Sequence, residues 1–484
     1  MAIIGSPQES PQAHCDFAIR HADITPPVGT YHRMWGAATH DRSEGIHRPL
    51  RATVVVAGSV GSAAGNRQII VALDHCLLGA EEMHRFRAAV AARASVPEQQ
   101  LVVIFSHTHA AGLMSLDRVD LPGGGEIPAY LDQMADVTGR LLADAQADVR
   151  PVTIVFGSGA CDLARHRDLW DATRSEYVCG FNPSGSQDRT VVVGRVTDSA
   201  GKIVATLVNY ACHPTTLAWD NRQISPDFPG AMREIVERET EAPCLFIQGA
   251  SGDLGPRDGF VGDTAVADRN GRQLGFAALA ALEGLDPPNT QFTYGGAVVS
   301  GATIGTWKHE PVPDSKRQQL ATFRCLRRTL ILSYRPGLPN LEEVDRERDK
   351  WLHDESNAHQ QGDLARARDC RAQVERQTRM RARLSQLPAG DNFPFELMAW
   401  RLGDSLWLFV PGEHYQILQR QLRAQSGRPI FVATLANGWG PSYLPSENMY
   451  GTGAYPETIA ILAPGSLEKV IDEAGRMLGE LERS

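Results

Sequence analysis

Short apolar runs alternate along this chain with segments whose apolar residues recur at helical spacing. The runs ATVVVAG and QIIVALD flank a Gly/Ala/Asn turn and indicate a hairpin, and LVVIF is typical of a buried strand. The pattern predicts strands at 52–58, 68–74, 101–105, 152–156, 190–196, 203–210 and 244–248, and helices at 80–95, 128–147, 228–239 and 267–284. This alternation predicts an α/β fold of the mixed α+β type, with β-sheets flanked by helices.

The two ends of the chain differ in character. Residues 1–16 are polar and contain prolines, which predicts a flexible N-terminal arm, with the ordered body starting at Phe17. Because no linker separates independent modules after that point, we expect residues 17–484 to form a single domain.

A charged segment at about 341–386 interrupts the strand-rich pattern. Its opposite charges at helical spacing predict a solvated helical hairpin. The acidic residues dilute the basic ones, so nucleic-acid binding is not expected here. The segment is also a candidate surface for packing between the subunits of a homo-oligomer.

Composition narrows the possible functions. The chain has 484 residues, 42% of them apolar, and a formal net charge of -9. That charge argues against nucleic acid or an anionic membrane as a partner, so we expect a small-molecule substrate. The sequence shows no secretory signal and no run of about 18 apolar residues, which predicts a cytoplasmic protein with no stable membrane association. The eight cysteines form no CxxC pair, so a thiolate zinc site is not indicated, and most are expected to be buried thiols.

Three histidines follow predicted strands. His107 and His109 come directly after the strand at 101–105, and their two-residue spacing places both imidazoles on one side of an extended chain. His213 follows the strand at 203–210, where Pro214 ends the strand. Strand ends hold metal ligands rigidly, so these residues are candidate ligands. The alternative is that the histidines merely form hydrogen bonds at the strand ends.

Oxygen donors occur in later segments. Glu413 follows the apolar run LWLFVPG, and Tyr443 lies in a Gly/Pro loop. Taken singly, a glutamate after a strand is more often a solvent-facing cap, and a tyrosine in such a loop is more often a packing residue. Asp253 lies in the Gly-rich turn GASGDLGPR, which is not interpreted as a phosphate-binding loop because no GK[ST] follows.

Taken together, these segments resemble the neutral ceramidase family of zinc-dependent amidases, which cleave N-acyl sphingosines. The matching segments occur in the family's order, and they are SHTHAAG (106–112), NYACHPTTL with ISPDFPG (209–230), GASGDLGPR (249–257), PGE (411–413) and ANGWGPSYLP (436–445). The resemblance implies a neutral-ceramidase-like catalytic domain over 17–484, with the charged helices as an insertion. It also implies that Zn²⁺ is bound by His107, His213, Glu413 and Tyr443.

The same resemblance implies the residues around the metal. His109 is the second histidine of the HxH motif, and Tyr455 and Arg165 are expected to contact the scissile carbonyl or its oxyanion. Arg167 competes with Arg165 for this role, since Ala164 stands where the family has an asparagine.

Two departures from the family bear on function. Where the family has a serine before the proline of its GDVSP loop, this chain has Gly255. The resemblance also ends near the C-terminus, without the family's trailing β-sandwich domain. We therefore expect a small polar substrate rather than a membrane lipid, with the segments WGAATH (35–40) and RDGF (257–260) at the entrance of the site.

These observations lead to the hypothesis of a hydrolase that cleaves the amide (C–N) bond of a small N-acyl substrate with zinc-activated water. His109 would take or return the proton, and Asp253 or Asp74 would orient a ligand histidine. One alternative is an esterase or lactonase that uses the same metal. Another is a non-catalytic zinc- or ligand-binding pseudoenzyme, which the missing serine suggests.

Overall fold

The structure is a computed structural model that describes residues 10–438 and 440–483. Its strands in chain order are β1 (Gln12–Asp23), β2 (Gly45–Ile46), β3 (Arg51–Gly58), β4 (Gln68–Leu73), β5 (Leu101–Phe105), β6 (Arg150–Ala160), β7 (Ala164–His166), β8 (Asp168–Asp171), β9 (Glu176–Cys179), β10 (Thr190–Thr197), β11 (Ile203–Tyr210), β12 (Gln223–Ile224), β13 (Cys244–Gln248), β14 (Leu254–Pro256), β15 (Thr290–Val299), β16 (Thr303–Pro311), β17 (Phe323–Ser333), β18 (Asn392–Leu402), β19 (Ser405–Phe409), β20 (Glu413–His414), β21 (Ile430–Ala433) and β22 (Tyr443–Leu444). Its helices are α1 (Ala80–Ala94), α2 (Ile127–Ala147), α3 (Phe228–Thr240), α4 (Thr264–Glu283), α5 (Asp314–Leu320), α6 (Leu341–Gln360), α7 (Leu364–Ser385), α8 (Ile417–Gln425), α9 (Tyr455–Ile459) and α10 (Ser466–Arg483).

An eight-stranded mixed sheet organises the molecule, with strand order β13-β11-β10-β6-β1-β3-β4-β5. The two outermost pairs, β13 with β11 and β4 with β5, are parallel. Side chains alternate between the faces of each strand, so Val54 packs towards α1 and α2 while Val55 packs towards a four-stranded sheet of order β17-β18-β19-β21. Helices α3 and α4 cover the same face as α1 and α2 at the other end of the sheet, and α8 and α10 cover the second sheet. The fold is a mixed α/β arrangement of sheets flanked by helices, as the sequence predicted.

Each strand and helix that the sequence predicted is present, with bounds that differ by a few residues. The predicted flexible arm at 1–16 is wrong for its described final part, because β1 begins at Gln12 and pairs with both β3 and β6. Ala13 and Cys15 point into the core between the two sheets, where burial of apolar groups offsets the entropy lost on ordering the segment. Residues 1–9 of the predicted arm lie outside the described residues.

The charged segment forms the two helices α6 and α7, joined by a short turn. Asn340 caps α6 through a capping box with Glu343. The expectation of a fully solvated hairpin is wrong for α7, because Glu375 is buried and accepts a hydrogen bond from Nη1 of Arg118 at 2.8 Å. This hydrogen bond joins α7 to a part of the protein that lies 257 residues away in the sequence.

Two further expectations concern cysteines and membranes. All eight cysteines are free, and six of them are buried, which confirms that most are buried thiols. In the described ranges, no helix combines the length and apolar character needed to cross a bilayer.

Candidate active site

The four proposed zinc ligands come from three parts of the fold. His107 follows β5 and has a positive φ of 66°, a turn that aims its side chain across the end of the sheet. His213 follows β11, and its backbone N–H bonds to the carbonyl of Leu254. The short parallel pair β20 and β22 aligns Glu413 with Tyr443, which brings two distant loops side by side.

The donor atoms of these four residues converge. Nε2 of His107 lies 3.0 Å from Nε2 of His213 and 3.2 Å from Oε2 of Glu413. The hydroxyl of Tyr443 lies 3.5 Å from Nε2 of His213, and Glu413 lies at the same distance from that nitrogen. We call His107, His213, Glu413 and Tyr443 the four-donor cluster.

The chemistry of the four-donor cluster fits a zinc ion. Ligands bound to zinc at about 2.0–2.2 Å in a tetrahedral arrangement are separated by about 3.3–3.6 Å, close to the distances between these atoms. The two imidazole Nε2 atoms lie 3.0 Å apart with a carboxylate beside them. Their lone pairs cannot form hydrogen bonds with one another, but all of these donor atoms can bind one shared cation. One ligand atom each from His107, His213 and Glu413 lies within 4.8 Å of the other two, which is close enough for all three to bind one ion.

Backbone carbonyls orient both ligand histidines. Nδ1 of His107 donates to the carbonyl of Cys76 at 2.7 Å, and Nδ1 of His213 lies 3.3 Å from the carbonyl of Ser251. Each Nδ1 therefore carries the proton, and each Nε2 lone pair faces the cluster. Burial, together with the charge of Arg167, holds the pKa of His213 well below its usual value, which keeps it in the neutral form that binds metal.

The expectation that Asp253 or Asp74 orients a ligand histidine is wrong. Both carboxylate oxygens of Asp253 accept hydrogen bonds from Gln416, at 2.7 Å from its backbone and 2.8 Å from its side chain. Asp74 forms a buried ion pair with Arg233. Carbonyl groups perform the orienting role instead because the strand ends place the backbone next to the rings, and Asp253 supports the loop around Glu413.

His109 lies beside the four-donor cluster with its ring centroid 5.0 Å from that of His107 and 5.1 Å from that of His213. Its Nε2 atom is buried and has no hydrogen-bond partner in the described part of the chain. Burial, together with the positive charge of Arg167, holds its pKa well below the usual value. His109 is thus a neutral base that lines the cavity and has an Nε2 atom without a hydrogen-bond partner among the described residues.

Of the two candidate arginines, the structure brings Arg167 to the site. Its Nη2 atom donates to the hydroxyl of Tyr443 and to the carbonyl of Gly252, each at 2.8 Å. Arg165 instead pairs with Asp162, 3.1 Å away near the surface. Arg167, and not Arg165, is thus the arginine at the four-donor cluster. Its backbone turns inward beyond the end of β7, where its N–H donates to the carbonyl of Asp253.

Tyr455 lies at the mouth of the site as the first residue of α9. Its ring centroid is 5.8 Å from that of Tyr443, and its side chain is 43% exposed. It lines the same cavity as His107, His109 and Glu413. Tyr455 therefore borders the cavity next to Tyr443.

The cavity itself has a volume of about 100 Å³. One wall carries Cys76, Met34 and Leu113, and α7 supplies Arg379 and Arg383 on another. The sequence did not indicate these two arginines as site residues, since nothing local distinguishes them from the solvated charges of the same helix.

An aromatic group adjoins His109. The ring of Trp35 lies 5.2 Å from that of His109 and 5.6 Å from that of Phe260, and Trp219 packs against both aromatic rings. Trp35 belongs to WGAATH and Phe260 to RDGF, so the two segments expected at the entrance do meet beside the site.

Comparisons with known proteins bear on the fold of the chain. No family model matches the chain. Over 280 residues, 52% of its length, the chain is 23% identical to neutral ceramidase B of Dictyostelium discoideum, and the match spans 38% of that protein. The structure superposes on a neutral ceramidase crystal structure from Pseudomonas aeruginosa with a TM-score of 0.64 and 16% identity, covering 98% of this chain and 75% of that one.

A second solved structure, a ceramidase complexed with C2, gives a TM-score of 0.62 and 16% identity, covering 96% of this chain and 74% of that one. Identities this low carry the architecture and not the activity. The resemblance seen in the motifs is confirmed at that level: the protein has a neutral ceramidase-like fold.

Proposed function

We propose that this protein is a zinc-dependent hydrolase that cleaves the amide bond of a small N-acyl substrate. The observation that carries the proposal is the convergence of four donor atoms, from residues as far apart as His107 and Tyr443, at the spacing of a zinc coordination shell. Zinc, when bound, would activate water and polarise an acyl carbonyl.

The protein's own groups then supply the remaining steps. His109 is neutral and lines the cavity beside the cluster, so it accepts a proton from the attacking water and returns it to the leaving nitrogen. Arg167 places a positive charge against Tyr443, and Tyr455 offers a hydroxyl at the mouth of the site. Both groups favour a reaction in which negative charge develops on the acyl oxygen.

The absence of a serine at Gly255 is compatible with this mechanism. Attack by water needs no nucleophilic side chain, whereas a covalent route needs an activated Ser or Cys with a neighbouring base. The four donors and His109 are all competent, which argues against a pseudoenzyme.

Two further observations bear on the substrate. The neutral ceramidases that the chain resembles are named for cleaving ceramide, an N-acyl amide, which supports an amide as the scissile bond. The cavity of about 100 Å³ is small beside the roughly 300–1,000 Å³ of drug-sized sites, which supports a small substrate.

Metal analysis together with a substrate panel tests the proposal. We expect purified protein to bind one zinc and to release amine from short N-acyl amides, and to lose this activity on chelation. Matched esters and lactones in the same panel distinguish an amidase from an esterase or lactonase. Zinc-loaded protein that hydrolyses none of the three classes would contradict a hydrolytic function.

A further inference from the structure

Helix α7 places two arginines on the wall of the active-site cavity. Arg379 and Arg383 are four residues apart, so they project from one face of the helix. Both line the cavity that contains His107, His109 and Glu413. The charged hairpin is therefore part of the site and not only a surface insertion.

Buried charges hold this wall in place. Arg118, which also lines the cavity, is 2% exposed and donates through Nη1 to Glu375. Glu375 in turn accepts from Nε of Arg379 at 2.9 Å, and Arg379 also donates to the carbonyl of Met34. Burial raises the pKa of Glu375, but Arg379 and Arg118 outweigh this effect and bring it to about 2. Glu375 is therefore ionised and fixes two guanidinium groups at the cavity.

On this wall the guanidinium groups of Arg118, Arg379 and Arg383 outnumber the carboxylates of Asp117 and Glu375. The other carboxylate that lines the cavity, that of Glu413, belongs to the four-donor cluster. Nη2 of Arg118 is buried and has no hydrogen-bond partner within the described residues. A buried guanidinium with unused donor capacity is a strong attractor for a planar carboxylate.

Arg383 lines the cavity together with Glu413, Tyr443 and Tyr455. Burial lowers the pKa of Arg383. Arg383 has thus lost part of its water shell at a place within range of the four-donor cluster, where a substrate carboxylate can replace that water.

We propose that the substrate carries a carboxylate in addition to its acyl amide, and that Arg379 and Arg383 bind this carboxylate while the amide carbonyl lies at the four-donor cluster. N-acyl amino acids are the simplest compounds of this class. The assignment of the reacting bond rests on the proposed function, whereas the carboxylate subsite is a property of α7 and can be tested without turnover.

The test uses metal-free, full-length protein and two small probes of equal size. N-acetylglycine carries a carboxylate, and N-acetylglycinamide is its neutral counterpart. Calorimetry should show N-acetylglycine binding at least about tenfold more tightly, the gain expected for a charge-assisted pair over a neutral contact. Arg383→Gln and Arg379→Gln should abolish this preference, and Arg383→Lys should keep part of it.

Arg376→Gln is the matched control, because Arg376 is an exposed arginine of the same helix. It should leave the binding of both probes unchanged, and melting curves should show that each variant is folded. Equal binding of the two probes, no binding of either, or a preference that survives in both Arg379→Gln and Arg383→Gln would overturn the proposal.

Turnover by zinc-loaded protein separates the two proposals. Binding of N-acetylglycine without release of glycine would remove the proposed amidase function and leave the carboxylate subsite standing. Hydrolysis of the neutral and charged amides at equal rates would leave the amidase function and remove the subsite.

Discussion

Arg167 donates a hydrogen bond to the hydroxyl of Tyr443 over 2.8 Å while its guanidinium carbon lies 5.4 Å from the centre of the same ring. Tyr443 also lies beside Glu413 across the paired strands β22 and β20. The tyrosine oxygen thus accepts a hydrogen bond from a cation next to a carboxylate. A permanent positive charge is thereby held against one of the four proposed ligands.

This relationship predicts unequal effects at the two neighbouring arginines. Replacing Arg167 with Gln should lower kcat/KM by about 100-fold or more, as loss of a positioned charge-stabilising donor does. Arg165→Gln should change it little, because Arg165 pairs with Asp162 away from the cavity. Steady-state kinetics on both variants checks the assignment, and a larger loss at Arg165 would reverse it.

The ligand assignment predicts a loss of metal. His213→Ala removes one imidazole from the four-donor cluster and leaves Glu413 without a cation to neutralise it, so both zinc content and activity should fall steeply. His84 is an exposed histidine of α1 and provides the control. Elemental analysis should give unchanged zinc in His84→Ala, and a full complement of zinc in a folded His213→Ala protein would refute the assignment.

His109 is expected to act on protons and not on the metal. His109→Gln keeps a polar group of similar reach but removes the base, so zinc content should stay at the wild-type level while kcat falls about 100-fold to 10,000-fold. Parallel metal analysis and kinetics distinguish this outcome from a ligand role, in which zinc would be lost together with activity.

Two glycines of one loop should differ in how well they tolerate an added side chain. A Cβ at Gly255 would lie 3.8 Å from Oγ1 of Thr215 and 3.9 Å from Cδ of Arg167, which are ordinary contacts. Gly255→Ser should therefore change the free energy of unfolding by less than about 1 kcal/mol and leave turnover intact.

A Cβ at Gly252 would instead lie 2.8 Å from the carbonyl oxygens of Glu413 and His414. Gly252→Ala should lower both stability and zinc content, because backbone on either side must move. Chemical denaturation of the two variants measures the contrast, and equal losses in both would count against the described loop.

Buried histidines predict a loss of stability in mild acid. Burial lowers the pKa of His32 and of His75 from 6.5 to about 4. Between these pH values the unfolded chain binds protons at the two histidines and the folded protein does not. The contribution of the histidines to the free energy of unfolding is therefore complete above pH 6.5 and is lost as the pH falls to about 4. Each histidine accounts for about 3 kcal/mol over that interval.

His75→Gln removes one of these groups and should make the pH dependence shallower, since a glutamine can still meet the hydroxyl of Tyr130, which lies 2.5 Å from Nε2 of His75. Urea unfolding at several pH values between 7 and 4 measures the slope. An unchanged slope in this variant would show that His75 is not a source of the acid sensitivity.

Much of the framework was predictable from the sequence. Runs of β-branched residues such as those of β3 and β5 predicted strands, and the placement of His107 and His213 after strands predicted where ligands could stand. These features depend on local backbone preference and on the alternation of side chains, both of which a short stretch of sequence records.

The position of β1 and the choice between Arg165 and Arg167 depended on the tertiary structure. Residues 12–16 look polar in isolation, and they are ordered because they pair with β6, while β1 continues along β3 from Asp16 onward. Arg165 and Arg167 have the same charge and nearly the same neighbours, and only the pairing of β7 with β14 decides which of them meets Tyr443.

The orientation of helix α7 also depended on the tertiary structure. Charges at helical spacing predicted its helix, because that pattern is a property of the segment alone. Whether Arg379 faces water or a cavity depends on the contact between Glu375 and Arg118, which are 257 residues apart. The sequence by itself determined the elements and their available chemistry, while tertiary packing decided which side chains share a cavity, since contacts over such separations leave no local periodicity in the chain.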